Sequence, residues 1–272
     1  MTRDEGIAVP ANAPNATDTR AQRLRLLWWP LLIAVLFGLA EFGEPVEDTL
    51  RITRNSFHQQ PVSGDIVLVE IDEKSLRKID NWPWSRTMQA AMVEAVDRMG
   101  PKKIVLDFLY TGPSTPVNDL ALAKAFRESG KVTIGAQTRL GEDEGKQNQG
   151  LPIPVLADQA KVASVAVRYT WQGAAWNLIY GTNFDGRRLP SLASAIAGID
   201  GPTDRTFRVD YSFDVDSVPR ISAVDLLAGR VDPALVRGKT VVFGTTAYQI
   251  GDQYVIPGRG KRGGVFIHIL GA

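Results

Sequence analysis

The segment from Ile66 to Ile71 reads IVLVEI. Five of its six side chains are apolar, and four of them are β-branched. A strand with solvent on one face alternates apolar and polar residues, whereas a strand covered on both faces is almost continuously apolar. The segment therefore predicts a buried strand of the kind found in parallel sheets.

The residues that follow alternate between helix and strand patterns. An apolar stripe from Met88 to Met99 has helical spacing, and Gly100-Pro101 ends it. Further strands are predicted at 104–109, 132–135, 162–168, 206–210 and 240–244, and further helices at 118–129, 191–199 and 222–229. A polar loop at 141–150 interrupts the pattern. Because strands and helices of these lengths make βαβ units, we expect one α/β domain with a mostly parallel sheet flanked by helices.

Residues 24–42 have the pattern of a membrane anchor. The run from Leu26 to Ala40 contains no charged residue, and 24–42 would form a helix of about 28 Å, close to the roughly 30 Å of a bilayer core. Arginines at 20, 23 and 25 precede the run, and acidic residues at 41, 44, 47 and 48 follow it. By the positive-inside rule we expect a disordered cytoplasmic tail at 1–23, one N-terminal transmembrane helix at 24–42 and an extracytoplasmic domain at 43–272.

Two other interpretations of the anchor stay open. Gly38-Leu39-Ala40 has small residues at the spacing of a signal-peptidase site, which would make the segment a cleaved export signal. The run is also short enough for a buried core helix. We favour the anchor, and both the anchor and the cleaved signal place the following domain outside the cytoplasm.

The composition excludes several classes of function. Lys and Arg number 31 against 30 for Asp and Glu, so the net charge of +1 creates no field that would gather nucleic acid. The chain has no cysteine, which excludes disulfides and thiolate metal sites, and only two histidines, His58 and His268. We expect no nucleic-acid partner and no cofactor. A carboxylate-bound Mg²⁺ or Ca²⁺ ion is left open, although we assign no metal ligand.

Common enzyme motifs do not occur in the positions that their function requires. No G-x-G-x-x-G follows a predicted strand, and no G-x-S-x-G occurs. Gly238-Lys239-Thr240 lacks the first P-loop glycine, because Pro233 stands there, and it precedes a strand instead of following one. We therefore expect that this chain alone is not an enzyme.

Acidic residues lie where predicted strands end. Asp72 follows the first strand, Asp107 is near the end of the second, and Asp252 is in the loop after the last. Ligands of open parallel sheets bind beyond the carboxyl ends of the strands, so these acids, with Thr245 and Thr246, are candidates to line a crevice. The alternatives are capping or turn formation for Asp72 and an ion pair with an arginine such as Arg86 for Asp107.

Trp82-Pro83-Trp84-Ser85-Arg86 is the most unusual segment of the chain. Two exposed tryptophans on a loop would be a recognition patch or a pocket lid. The alternative, which we favour, is a rigid proline-locked corner whose rings cap the core while Arg86 opens a helix.

Taken in order, these residues resemble the type-two CHASE family of extracellular sensing domains associated with cyclases and histidine kinases. The resemblance covers roughly residues 44–270. Its segments are Asp65–Asp72 with Ser75-Leu76, the corner at 82–86, Lys103–Asp107, Asp119, Lys239–Ala247, Asp252 with Pro257, and Gly264–His268. The chain departs from the family at Asp80-Asn81, where a glycine is expected, and in an expanded loop at 141–150.

The resemblance implies a sensor outside the inner membrane of a bacterium, single-pass in this chain, with its main domain periplasmic or extracellular. It also implies a cytoplasmic output domain that is missing from this chain: a diguanylate cyclase, an adenylate cyclase or a kinase. The family does not supply a ligand, and the signal is an unknown small molecule or protein. We expect the chain to contact the cytoplasmic membrane and to form a homodimer.

Our first hypothesis is a non-enzymatic sensor in which a signal shifts the segment at 24–42 relative to that at 265–272. We predict four ligand-binding residues, Trp84, Arg86, Asp107 and Asp252. Two alternatives stay open: an exported metal-dependent hydrolase that uses Asp72, Asp107 and Asp252, and a structural module that only dimerises the protein.

Overall fold

The computed structural model of the protein describes residues 28–38, 44–79, 82–138, 150–170, 173–184 and 186–272. The predicted tail at 1–23, the Asp80-Asn81 pair and nearly all of the 141–150 loop lie outside these residues. The chain divides into two compact units, residues 1–53 and residues 54–272. The second unit contains the α/β domain.

The secondary structure alternates between strands and helices. The strands are β1 (Ile66–Ile71), β2 (Lys103–Leu109), β3 (Val132–Ala136), β4 (Lys161–Ser164), β5 (Asn177–Ile179), β6 (Gly181–Phe184), β7 (Arg187–Pro190), β8 (Thr206–Arg208), β9 (Arg220–Ser222), β10 (Thr240–Thr245), β11 (Gln253–Ile256) and β12 (Gly260–Gly263). The helices are α1 (28–38), α2 (Glu44–Phe57), α3 (Glu73–Lys78), α4 (Arg86–Asp97), α5 (Pro116–Ser129), α6 (Pro154–Ala157), α7 (Leu192–Ala197), α8 (Ala223–Leu227) and α9 (Val265–Leu270).

Six strands form the central sheet, in the order β4-β3-β2-β10-β1-β9. Every neighbouring pair in this sheet is parallel. The predicted α/β fold with a parallel sheet flanked by helices is therefore confirmed. β10 enters last and lies between β1 and β2, so residues from both ends of the domain meet at the centre of the sheet.

Helices cover both faces of this sheet. Val67, Val69 and Ile71 of β1 belong to a core cluster that also contains the buried side chains of α4, α5 and α8. On the other face, Gly244 of β10 lies against Val265 of α9. Because both faces are covered, three successive residues of β1, Val67 to Val69, are fully buried. The continuous apolar pattern of this strand has this physical cause.

Local sequence determines where the helices begin and end. In α5, the Thr115 hydroxyl accepts a hydrogen bond from the Asn118 amide, and Pro116 occupies the first turn. Gly130 ends the helix with a φ of 63°, a left-handed conformation that glycine adopts without steric cost.

The structure differs from the predictions in the second half of the domain. The predicted strand at 206–210 is β8, which pairs antiparallel with β5 outside the central sheet. The predicted strand at 162–168 ends as β4 at Ser164. The sequence analysis did not predict the antiparallel pairs β6–β7 and β11–β12. These strands are only four residues long and make small satellite ribbons, so their periodic pattern is too short to detect.

The first unit contains helix α1, whose side chains are exposed. Within the described residues, no helix combines the length and the apolar character needed to cross a membrane. The predicted span at 24–42 extends beyond the described helix at both ends.

Candidate functional site

A cavity of about 1000 Å³ lies at the carboxyl ends of β4, β3, β2 and β10. Its walls are formed by these strand ends, the tryptophan corner before α4, the loop leading into β11, and α9. This volume is at the upper end of the roughly 300–1,000 Å³ of typical small-molecule sites. Its position, beyond the carboxyl edge of an open parallel sheet, is where ligands of such folds bind.

Asp107 projects from an irregularity in β2. Leu106 pairs with Ile134 and Leu109 pairs with Gly135, so Asp107 and Phe108 lie in a bulge between these two pairs. A β-bulge redirects side chains that would otherwise follow the alternation of the strand. Gly135 permits the bulge, because a Cβ at this position would be 3.1 Å from the carbonyl oxygen of Phe108.

The environment of Asp107 favours its protonated form. Burial, followed by the nearby charge of Asp252, raises the pKa of Asp107 from an ordinary 3.8 to about 7. Within the described part of the chain, the Asp107 carboxylate has neither a hydrogen-bond nor an ion-pair partner. An acid without a partner in a cavity wall is typical of functional sites, where a ligand provides the missing interaction.

Asp252 also lies in the cavity wall. Its Oδ2 accepts a hydrogen bond of 2.9 Å from Thr245 Oγ1, at the end of β10. Thr246, the other predicted threonine, points elsewhere and donates to Glu70 Oε2. The cavity therefore contains two carboxylates from different strand ends, and one of them is oriented by a hydroxyl.

Arg86 lines the cavity, but its guanidinium is bound to the protein. Nη1 donates to Asp119 Oδ1, the guanidinium carbon lies 5.4 Å from the ring centre of Tyr110, and Nη2 donates to the Gly112 carbonyl oxygen. The Asp119 carboxylate also accepts from the Ser114 amide. Arg86 therefore pairs with Asp119 and not with Asp107. The pair joins α4 to α5, and its further hydrogen bonds hold the loop between β2 and α5.

The tryptophan corner has features of both interpretations left open by the sequence. Trp84 is buried and its indole donates to the Ile79 carbonyl oxygen, whereas Trp82 is partly exposed and meets Trp84 edge-to-face at 5.6 Å. The Ser85 hydroxyl caps α4. Trp82, Trp84 and Ser85 all line the cavity, so the corner is a rigid structural element that also forms part of a pocket wall.

Two tyrosines stack beside the acids. The rings of Tyr169 and Tyr254 are 5.5 Å apart and nearly parallel, at 15°. Burial raises the pKa of both tyrosines, and the charge of Asp252 adds to this effect. Gly264 leaves room for this arrangement, because a Cβ there would be 2.8 Å from Tyr254 Cε2 and 3.1 Å from Asp252 Oδ1.

His268 of α9 is another residue of the cavity wall. It is only 4% exposed, and its Nδ1 is the one fully buried side-chain polar atom without a hydrogen-bond partner in the described residues. Burial lowers the pKa of His268 to about 4, so the imidazole is uncharged at neutral pH. A buried polar atom without a partner is costly, and a bound ligand is one way to satisfy it.

The structure separates the three acids of the hydrolase hypothesis. Asp72 does not line the cavity: it caps α3 by accepting from the Ser75 amide, as in the capping alternative, and it also accepts from Ser222 Oγ. In the ranges that the structure describes, no group of three His, Asp or Glu side chains is placed to hold a metal ion. The geometry therefore does not favour a metal-dependent hydrolase.

All four predicted ligand-binding residues, Trp84, Arg86, Asp107 and Asp252, line this one cavity. Their role in binding stays a prediction. The sequence analysis missed Tyr169, Tyr254 and His268 as site residues. Tyr254 lies two positions after Asp252 and His268 lies in a segment that resembled the family, but no local pattern distinguishes Tyr169, because it follows the short strand β4.

The family model of the CHASE2 domain matches residues 26–270, a range that contains the sheet, the cavity and the tryptophan corner. No curated protein and no solved structure matches the chain. The predicted resemblance to the type-two CHASE family is confirmed. The chain thus belongs to the CHASE2 domain family, whose members are extracellular sensory domains found in signalling proteins.

Proposed function

We propose that this chain is the extracytoplasmic input domain of a membrane-bound bacterial signalling protein, and that its signal is a small molecule bound in the cavity at the carboxyl end of the sheet. The observation that carries the proposal is the cavity itself. It has the volume of a small-molecule site, and its wall contains Asp107 and His268. Among the described residues, the Asp107 carboxylate and the buried Nδ1 of His268 have no hydrogen-bond partner.

Helix α9 provides a route from the cavity to the rest of the protein. Gly264, Ile267 and His268 line the cavity, while Val265 and Phe266 are buried in the domain. A ligand that contacts one side of α9 changes the free energy of its packing on the other side. Such a ligand shifts the equilibrium between two positions of α9 only by its difference in affinity for them.

The membrane anchor at 24–42 is part of the proposal. Arginines before the apolar run and acidic residues after it support a cytoplasmic tail at 1–23 and an extracytoplasmic domain at 43–272. The large apolar side chains of α1 are about half exposed or more, as for a helix whose surroundings are lipid: Trp28, Trp29, Leu31, Leu32, Ile33, Val35, Leu36 and Phe37. The protein would then lie in the inner membrane, single-pass over this chain.

The output of the proposed sensor is a cyclase or kinase module outside this chain, and the working unit is a homodimer. Two copies would allow α1 and α9 of each protomer to change position relative to those of the other. This part of the proposal rests on the family alone.

A thermal-shift screen of the 272-residue chain in mild detergent, with a library of small water-soluble metabolites, tests the sensor proposal. Ligand binding in the cavity should raise the melting temperature, because binding to the folded state alone stabilises it. Ser114 is an exposed residue of the cavity wall, so Ser114→Trp should narrow the cavity and abolish the shift. Thr111→Trp, on the same loop but outside the wall, is the matched control and should retain it.

The coupling is measured on the same samples by hydrogen exchange. A stabilising ligand should change the exchange of the amides in Val265–Leu270 in the wild type and in Thr111→Trp. A library in which nothing stabilises the wild type, or stabilisation that Ser114→Trp leaves intact, would contradict a sensor that uses this cavity. Homodimers that form equally well in the wild type and in Ser114→Trp would then favour the structural module, which only dimerises the protein.

A further inference from the structure

We infer that the cavity binds an organic cation, with its ammonium group held between Asp107 and Asp252 against the stacked rings of Tyr169 and Tyr254. This inference rests on the proposed function and specifies the chemical class of the signal. It is carried by three independent features of the cavity wall: its uncompensated negative charge, its aromatic faces and its uncharged histidine.

The first feature is charge. Asp107, Asp252 and Arg86 are the charged residues that line the cavity in the described ranges. The positive charge of Arg86 is already balanced by Asp119, whose side chain is 9% exposed. Neither cavity carboxylate has an ion-pair partner among the described residues, so the wall has an excess of negative charge that a cation would balance. The raised pKa of Asp107 agrees with this, because a neighbouring cation would instead favour its charged form.

The second feature is the aromatic surface next to the acids. Tyr254 and Asp252 both lie next to Gly264, and burial, followed by the charge of Asp252 and a smaller effect of Asp107, raises the pKa of Tyr254. Tyr169 stacks on Tyr254, and the indoles of Trp82 and Trp84 line another side of the same cavity. Aromatic faces attract ammonium groups through the negative charge of their π systems, and acids beside them strengthen the attraction. An anion would be repelled by both kinds of surface.

The third feature is His268. Its Nδ1 is buried and has no hydrogen-bond partner in the part of the chain that the structure describes. Burial keeps the ring neutral, so the histidine adds no positive charge that would oppose a cation. A neutral imidazole offers one nitrogen as an acceptor for an N–H or O–H group of a ligand. Because His268 belongs to α9, this contact would connect the ligand directly to the helix that we propose to move.

Three probes of nearly equal shape but different charge test the inference. Choline is the cation, 3,3-dimethyl-1-butanol is its neutral carbon analogue, and 3,3-dimethylbutyrate is an anion with the same branched end. We expect choline to bind the 272-residue chain at least about tenfold more tightly than the alcohol, and the butyrate not to bind, by isothermal titration calorimetry at pH 8. Asp252→Asn and Asp107→Asn should each weaken choline binding by about tenfold or more.

Asp200→Asn is the matched control, since this carboxylate is 82% exposed and does not line the cavity. It should leave choline binding unchanged. Equal binding of choline and the alcohol, or preferred binding of the butyrate, would overturn the inference while leaving the sensor proposal intact. Failure of all three probes, or choline binding that Asp107→Asn and Asp252→Asn do not weaken, would also overturn it. The proposal of a cavity-binding sensor is decided separately, by the Ser114→Trp screen.

Discussion

At the scale of single residues, the cavity wall contains a group whose desolvation destabilises the folded protein and which a bound ligand would stabilise. A carboxylate without a partner is less stable in a cavity than in water, because desolvation is not offset by a hydrogen bond or a counter-ion. Over the described ranges Asp107 has no such partner, and burial, followed by the charge of Asp252, raises its pKa. The Arg86–Asp119 pair, by contrast, is satisfied within the protein and stabilises the cavity wall.

The pKa of Asp107 sets a pH dependence of stability. Because the pKa of Asp107 is higher in the folded state than its ordinary value, the folded protein binds this proton more tightly than the unfolded chain does. The resulting stabilisation is complete below about pH 4. This contribution is lost as the pH rises through about 7. Asn is a neutral replacement of nearly the same shape. We therefore expect Asp107→Asn to match the wild type near pH 4 and to be more stable at pH 8, by on the order of 2 kcal/mol.

Urea unfolding of both proteins at pH 4, 6 and 8, without ligand, measures this difference. Asp200→Asn is the control, because Asp200 is exposed at the surface. Its difference in unfolding free energy from the wild type should not increase between pH 4 and pH 8. A lower stability of Asp107→Asn at pH 8 would mean that the carboxylate has a partner in the folded protein.

At the scale of elements, the contact between β10 and α9 connects the sheet to the cavity wall. Gly244 is the last residue but one of β10, and a Cβ at this position would be 2.5 Å from Val265 Cγ2 and 2.6 Å from Val265 Cβ. The absence of a side chain therefore allows α9 to approach the strand. The same strand ends at Thr245, which orients Asp252, so the helix and the acid are positioned by adjacent residues.

Gly244→Ala should displace α9, because the added methyl group overlaps the branched side chain of Val265. We expect a loss of stability of about 1–3 kcal/mol, typical of overpacking, and faster hydrogen exchange in Val265–Leu270. Urea unfolding and exchange measured by mass spectrometry provide the two readouts. Gly112→Ala is the control, because nothing lies within 4 Å of its added Cβ, and it should have little effect. A Gly244→Ala protein with unchanged exchange in α9 would show that the helix does not depend on this contact.

At the scale of the whole molecule, the topology of the sheet assembles the site. Asp107 lies in the bulge of β2, Tyr169 follows β4, and Asp252 follows β10, yet all three reach the same cavity. The insertion of β10 between β1 and β2 brings the last quarter of the chain to the centre of the domain. A signal bound in the cavity, as we propose, would therefore contact strands from both halves of the fold and the last helix.

The orientation of the chain in the membrane is a separate prediction at this scale. Alkaline phosphatase, which is active only after export, should be active when fused after Ala272, and green fluorescent protein fused at the same point should be dark after export. The physical reason is the charge asymmetry around residues 24–42. Fusions after Arg23, before the apolar run, are the control and should show the opposite pattern. Fluorescence without phosphatase activity at Ala272 would overturn the extracytoplasmic placement.

The sequence by itself determined the fold class, because burial on both faces of a parallel sheet leaves a continuous apolar pattern in β1, β2 and β10. It also indicated Asp107 and Asp252, since the ends of parallel strands meet at one edge, and it indicated Trp84 and Arg86 through the unusual segment at 82–86. Only the tertiary structure decided the rest. That Arg86 pairs with Asp119, and that Tyr169 and His268 join the cavity, depends on strand order and on how the helices pack on the sheet. These are contacts between residues distant in the chain, and no local periodicity records them.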